Sequence, residues 1–367
     1  MSPLVHRIAP PLEGGPYPSP DAAEAEMDGL AAARPELASR VELGRSRQGR
    51  PLRALRLAAE SGDTTGEAGG AGSRVRGPEG GAGAAAPRPA LLVTAHIHAC
   101  EFVGAYVARE LARRVVEGSG ADPVATALLE RATLWVVPLL NPDGAARVWA
   151  RRGLLGLAAS RVTAAGVDPN RNFPAAALSG RRKWNSARGR PGSMWYGGPH
   201  PLSEPECRSL ARLVRREPFC AAVNFHSFGG LVYIPEPLGP EADRAGRALD
   251  VFRGPFQERQ RHLRYRPVAE GAAAIAGQLD AFLLYGLGIP SVTVEVSRPG
   301  PHLLAPWNLV NFFQWANPPD PARWAANDAP AALAALLELL ERSEGHPCAP
   351  AFPELAEAIP DHAEQAC

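Results

Sequence analysis

A histidine and a glutamate three residues apart, in His98-Ala99-Cys100-Glu101, stand where the apolar run Pro89 to Ala95 gives way to an amphipathic stretch. At the start of a helix, residues with that spacing lie on one face, so an imidazole and a carboxylate can reach one cation. Nitrogen and carboxylate donors of this kind suit zinc. His-x-x-Glu recurs by chance, so its weight depends on its company. Further along come Asn141-Pro142-Asp143-Gly144, Gly166-Val167-Asp168-Pro169-Asn170-Arg171-Asn172-Phe173, Asn224-Phe225-His226-Ser227 and Ser291-Val292-Thr293-Val294-Glu295. His226 ends an apolar run that begins at Cys220, and like His98 it is placed at the carboxyl end of a strand, where ligands gather in open α/β sheets. Glu295 ends an alternating β-branched run, and a carboxylate on such a strand is costly unless it has a partner or a task.

In this order and at these separations the motifs resemble the zinc carboxypeptidases related to pancreatic carboxypeptidase A, over about residues 17 to 342. The resemblance implies an α/β fold with a mixed, largely parallel central β-sheet flanked by helices on both faces. It implies one zinc ion held by His98, Glu101 and His226 with a fourth position open to water, and Asp168 as the carboxylate behind His98. Glu295 then takes a proton from the attacking water and passes it to the leaving amine. Asn170 and Arg171 match the pair that holds the free carboxylate at a peptide's C-terminus, a task suited to a planar guanidinium. The implied activity is that of a metallocarboxypeptidase hydrolysing the C-terminal peptide bond.

Two assignments rest on alignment choices. An arginine shortly after Asn-Pro-Asp-Gly stabilises the oxyanion in the family; Arg147, Arg151 and Arg152 compete for this place, and Arg151 is chosen because it follows Trp149 closely. The floor of the side-chain pocket falls on Leu279 if one residue is inserted before Glu295, and on Asp280 otherwise; Leu279, favouring apolar C-terminal residues, is preferred. The sequence also departs from the family. Where relatives carry a tyrosine on a mobile loop this chain has Ala273, with Tyr265 the candidate substitute, and Pro169 replaces an apolar or small residue. The missing tyrosine keeps open an amidase or deacylase acting on γ-glutamyl or peptidoglycan peptides or on N-acyl amino acids. A zinc-containing domain that binds peptide tails without turnover is a further alternative, against which the retained Glu295 speaks.

With 367 residues, 46% of them hydrophobic, the chain can bury a large core. A net charge of +1 gives no electrostatic case for nucleic acid or an anionic membrane. No signal-like N-terminus and no apolar run of about 18 residues are present, so a cytoplasmic protein is expected. Five scattered cysteines suggest free thiols. The expected organisation is an N-terminal tail (1–16), a catalytic domain (17–342) with a flexible Gly/Ala-rich insertion (60–88), and a C-terminal tail from 343 that, from Gly345 on, packs loosely or not at all. Strands are predicted at 41–46, 51–58, 90–95, 132–139, 220–226 and 290–296. Helices are predicted at 20–33, 101–117, 203–216, 240–258, 271–285 and 328–342, with Ser203 as the cap of the third.

Overall fold

The computed structural model describes residues 11–59, 87–175, 189–271, 276–298 and 311–361. Most of the 60–88 insertion and Ala273 therefore lie outside the described residues. Eight strands form one sheet: β1 (Ala38–Arg45), β2 (Pro51–Leu57), β3 (Ala90–Ala95), β4 (Thr133–Val137), β5 (Phe219–Ser227), β6 (Leu231–Pro235), β7 (Arg266–Glu270) and β8 (Ser291–Val296), in the order β1-β2-β4-β3-β5-β8-β6-β7. The central run β4-β3-β5-β8 is parallel. Antiparallel pairings of β1 with β2, β2 with β4 and β6 with β8 flank it, so the sheet is mixed and largely parallel, as expected.

Every residue of β3, β4 and β5 is buried, which requires cover on both faces. Helices supply it: α1 (Pro20–Ala33), α2 (Phe102–Gly118), α3 (Pro123–Arg131), α4 (Pro142–Ala150), α5 (Pro205–Arg216), α6 (Ala242–Leu249), α7 (Pro255–Arg259), α8 (Leu279–Leu287), α9 (Phe312–Ala316), α10 (Pro321–Arg342) and α11 (Glu354–Glu357). Both α2 and α10 pack against β5, and α8 packs on β8, β5 and β6. Below the carboxyl edge a polar ladder crosses the sheet: Thr94 Oγ1 donates to Asn224 Oδ1 (2.7 Å) and Asn224 Nδ2 to Ser291 Oγ (3.0 Å). These bonds fix the relative heights of the three strands that end in the candidate site.

Several boundaries differ from expectation for local reasons. The helix predicted at 240–258 is interrupted, since Gly254 and Pro255 start a new short helix. The helix predicted from 271 begins only at Leu279, after Gly277, whose φ of +82° and closeness to the Arg171 carbonyl rule out a side chain. α10 starts seven residues earlier than the predicted 328, where Asp320 accepts the Arg323 N–H and Pro321 takes the first turn. The described residues after Gly345, up to Asp361, pack onto the domain: Cys348 N–H donates to Gly288 O (2.7 Å), Phe352 N–H to Tyr285 O (2.8 Å), and Leu355 and Ile359 are buried. Among the described residues no helix is long and apolar enough to cross a membrane, and Cys100, Cys207, Cys220 and Cys348 are free.

The cap of α5 is Glu204, not Ser203, because Pro205 occupies the first helical position. Glu204 is turned away from the helix, accepting from Thr163 Oγ1 (2.7 Å) and Arg47 (3.1 Å). Its neighbour Glu206 is fully buried, with one carboxylate oxygen lacking a partner. Burial, reinforced by the Glu204 and Asp143 carboxylates, pushes Glu206 up to about 7. A carboxyl whose folded pKa lies above its unfolded value of about 4.3 contributes stability below that value and loses it as pH rises through 7. Glu206→Gln is accordingly expected to stabilise the protein at pH 8 by on the order of 3 kcal/mol and to change little at pH 4. Thermal unfolding of parent and variant at the two pH values checks this.

Candidate active site

β3 ends at Ala95, and the loop that follows is pinned at three points. Asn141 N–H donates to His96 O (3.0 Å), Asn141 Nδ2 donates to Ile97 O (3.2 Å), and Ala99 N–H donates to Arg161 O (3.1 Å). Asn141 also caps α4 by accepting Gly144 N–H (3.0 Å), and a Cβ at Gly144 would sit 2.6 Å from that of Ala99. Asp143 accepts from Ser46 Oγ (2.6 Å) and Gln48 N–H (2.9 Å), joining the β1–β2 turn. The Asn-Pro-Asp-Gly motif is thus a brace for the loop that carries His98. His96 is held apart, its Nε2 against Ala99 O (3.1 Å), and burial lowers its pKa to about 4.

Three buried donors converge: His98, Glu101 and His226. His98 Nδ1 lies 2.7 Å from Glu101 Oε1 and 3.2 Å from His226 Nδ1, and His226 Nδ1 lies 3.1 Å from Glu101 Oε2. Donors bonded to one tetrahedral zinc at about 2.0 Å must stand about 3.3 Å apart, so these spacings fit one face of such a site. Two imidazole nitrogens directed at one another beside a carboxylate are otherwise a poor arrangement. Ser227 N–H donates to Glu101 Oε2 (3.2 Å). Burial works against the charged form of Glu101, yet the two imidazoles hold its carboxyl well below the usual range.

A close helix approach allows this convergence. A Cβ on Gly104, in the first turn of α2, would stand 3.0 Å from Phe225 O and 3.2 Å from His226 O. Gly104→Val is expected to push α2 off β5, destabilise the fold by about 1–3 kcal/mol and weaken zinc binding. Thermal unfolding and a zinc titration measure both effects.

Behind His98 stands Asp168, fully buried, with Oδ1 3.4 Å from His98 Nε2, a nitrogen that has no other partner. Asp168 also accepts Asn170 N–H (3.0 Å) and Arg161 Nε–H (2.8 Å). Burial acts to raise its carboxyl, but Arg161, Arg171 and His98 hold it well below the ordinary carboxylate range. Arg161 is the guanidinium whose charge is felt at Glu101, His226 and Glu295 alike. Arg147 instead donates to the carbonyls of Thr163, Ala159 and Val162, and Arg151 is exposed at the end of α4. Arg161 was not among the sequence candidates; its signal was that it is the sole charged residue between Ala158 and Val167.

Glu295 is the cross-strand neighbour of His226 in the β5–β8 pairing. Burial, the Glu101 carboxylate and Glu270 push its carboxyl well above the usual range, against the pull of Arg161. Asn170 and Arg171 lie in a short 3-10 turn that starts at Pro169, and both are buried. Asn170 Oδ1 accepts Leu279 N–H (2.9 Å), linking the turn to α8. Burial lowers the Arg171 pKa to about 10, with Asp168, Glu270 and Asp280 acting in the opposite sense. Leu279 packs in the core, while Asp280 accepts from Thr293 Oγ1 (3.1 Å) and burial pushes it up to about 6. Tyr265 does not reach the cleft: it is 1% exposed, donating to Asp328 Oδ2 (2.7 Å) and accepting Ser297 N–H (2.8 Å) beneath the end of β8.

A family model described as zinc carboxypeptidase matches residues 23–306. The chain belongs to the zinc carboxypeptidase family. Carboxypeptidase A4 of Mus musculus is 28% identical over 255 residues, covering 65% of this chain and 54% of the relative. Carboxypeptidase A2 of Rattus norvegicus is 30% identical over 253 residues, 62% of this chain and 51% of the relative. The chain therefore spans about half the length of these curated relatives. Among solved structures, thrombin activatable fibrinolysis inhibitor aligns with a TM-score of 0.67 at 18% identity, covering 89% of this chain and 74% of that one. A metallo-carboxypeptidase from Burkholderia cenocepacia aligns at 0.58 and 20%, covering 88% and 69%. At such identities the structures speak for the carboxypeptidase fold. Zinc is the metal of the family, and among the described residues the His98–Glu101–His226 group is the one whose donors could hold such an ion.

Proposed function

We propose that this chain is a zinc-dependent metallocarboxypeptidase that removes single residues from the C-terminus of peptides. The observation that carries the reading is the pairing of Glu295 with His226 on adjacent strands, beside three donors spaced for one tetrahedral ion. When bound at His98, Glu101 and His226, zinc supplies a Lewis acid and lowers the pKa of water enough for attack at neutral pH. Glu295 accepts the proton of the attacking water and delivers it to the leaving amine. Its raised pKa, set first by burial and next by the Glu101 carboxylate, suits the second transfer. Asp168 orients the His98 ring from behind. Arg161, rather than Arg151, is the guanidinium beside the carbonyl oxygen that gains charge. Arg171 takes the substrate's terminal carboxylate in a two-pronged contact, and Asn170 adds the donor end of its amide, the oxygen being engaged by Leu279.

For side-chain preference the reading shifts from Leu279 to Asp280. Leu279 is enclosed in the hydrophobic core, which leaves the buried Asp280 carboxylate, felt at Arg171, as the candidate for the pocket floor, and a carboxylate there favours a basic C-terminal side chain over an apolar one. Zinc-loaded protein offered matched peptides ending in a free acid or an amide should release one residue from the acid only. Release from γ-glutamyl or N-acyl amino acid substrates in preference to α-linked peptides would instead support the amidase or deacylase alternative.

A further inference from the structure

Glu101 occupies the cap position of α2, yet its side chain makes no bond to the helix's free N–H groups. A cap side chain ordinarily accepts one of those donors. Here the carboxylate is committed elsewhere, between His98 and His226. The vacant duty is performed from a distant part of the chain. Asn317 Oδ1 accepts Val103 N–H at 3.0 Å, the second helical position, and Asn317 Nδ2 donates to Cys100 O at 2.7 Å. One buried amide therefore grips the peptide groups on both sides of Glu101.

Asn317 is itself firmly placed. It ends α9, its Nδ2 also donating to Phe313 O (3.0 Å). Phe313 packs edge-on against Phe102 and Tyr17, with ring centres 5.2 Å and 5.8 Å away, and Tyr17 Oη donates to Pro318 O (2.7 Å). Asn317 lies beyond the stretch matched to the family, 23–306.

We infer that Asn317 is a positioning residue for the metal centre: it caps α2 in place of Glu101 and thereby sets the backbone from which the Glu101 carboxylate meets the two imidazoles. This rests on the proposed reading of His98, Glu101 and His226 as the zinc donors. Losing the amide leaves Val103 N–H unpaired in the interior, takes from Cys100 O the shorter of its two bonds, leaving Phe102 N–H as its donor, and frees the first turn of α2 to shift.

The test is a zinc titration of the whole, metal-stripped protein against a competing chelator, with thermal unfolding of the apo form recorded in parallel. Asn317→Leu, which keeps the volume and removes both bonds, is expected to weaken the zinc Kd by about 10- to 100-fold. Asn317→Asp keeps the acceptor for Val103 N–H and loses the donor to Cys100 O, and is expected to fall between Leu and parent. Leu355→Ala, a buried contact on α8, is the control that lowers the unfolding temperature and should retain the parent's Kd. Parent-like affinity in Asn317→Leu, or equal weakening in Leu355→Ala, overturns the inference. If Asn317→Leu does not fold, Asn317→Asp decides on the same terms. Glu101→Ala in the same titration separates the two readings: parent-like zinc binding there means that the donor set itself is wrong.

Discussion

Glu295→Gln is expected to lower kcat on a peptide with a free C-terminus by on the order of 10³-fold while leaving zinc content and KM close to those of the parent. The amide fills the same space at the end of β8 beside His226 but can neither accept the water's proton nor return one to the amine. Zinc content should hold because Glu295 is not among the three converging donors. The fold should tolerate the change, since burial already disfavours the charged carboxylate. Steady-state kinetics with metal analysis of the same sample provide the check. A variant with parental kcat would remove Glu295 from the chemistry, and one that loses zinc would make it a donor.

The second large effect is expected at Arg171. Arg171→Met removes a buried guanidinium, and truncating one partner of a desolvated charged pair costs about 2–5 kcal/mol. For substrates ending in a free acid, kcat/KM should then fall by on the order of 10³-fold. The diagnostic feature is selectivity: the parent's preference for the acid over the amide should collapse, because the amide never used the guanidinium's charge. Arg171→Lys keeps the charge without the planar fork and should recover part of the loss. Equal losses on acid and amide would mean that Arg171 acts only by supporting Asp168, whose carboxyl it helps to hold ionised.

The parts of the fold that were legible in the sequence are those whose signals are local. Helix α1 was read from Pro20-Asp21 and its apolar spacing, and the four central strands from continuous apolar runs, because burial on both faces leaves such runs. β6 and β7 escaped notice for the converse reason. Both are five residues long at one side of the sheet; β7 is largely exposed and contains Pro267. The early start of α10 was obscured by Pro330, which sits inside the helix and reads as a terminator.

The same division runs through the site. His98, Glu101 and His226 were found because each is attached to a strand end and a recognisable motif, and the fold brings them together. Arg161 and Asn317 were not: the one local mark of Arg161 is its isolation as a charge between Ala158 and Val167, and Asn317 has none. Arg161 is bonded to the Asp168 carboxylate seven residues on, and Asn317 makes two bonds to residues more than two hundred positions away. Among Arg147, Arg151 and Arg152 the sequence offers no means of choosing, since Arg147's bonds to the carbonyls of Ala159, Val162 and Thr163 and the exposure of Arg151 are set by the fold. A tyrosine substitute at Tyr265 was equally invisible as a core residue, because its partner Asp328 is 63 residues distant.

Anomalous X-ray scattering at the zinc edge from crystals of the zinc-loaded protein tests the central claim most directly. One strong peak per chain is expected, within bonding distance of His98 Nδ1, His226 Nδ1 and the Glu101 carboxylate, with Glu295 nearby and unbonded. No peak there under saturating zinc, or a single peak at other residues, would contradict the account.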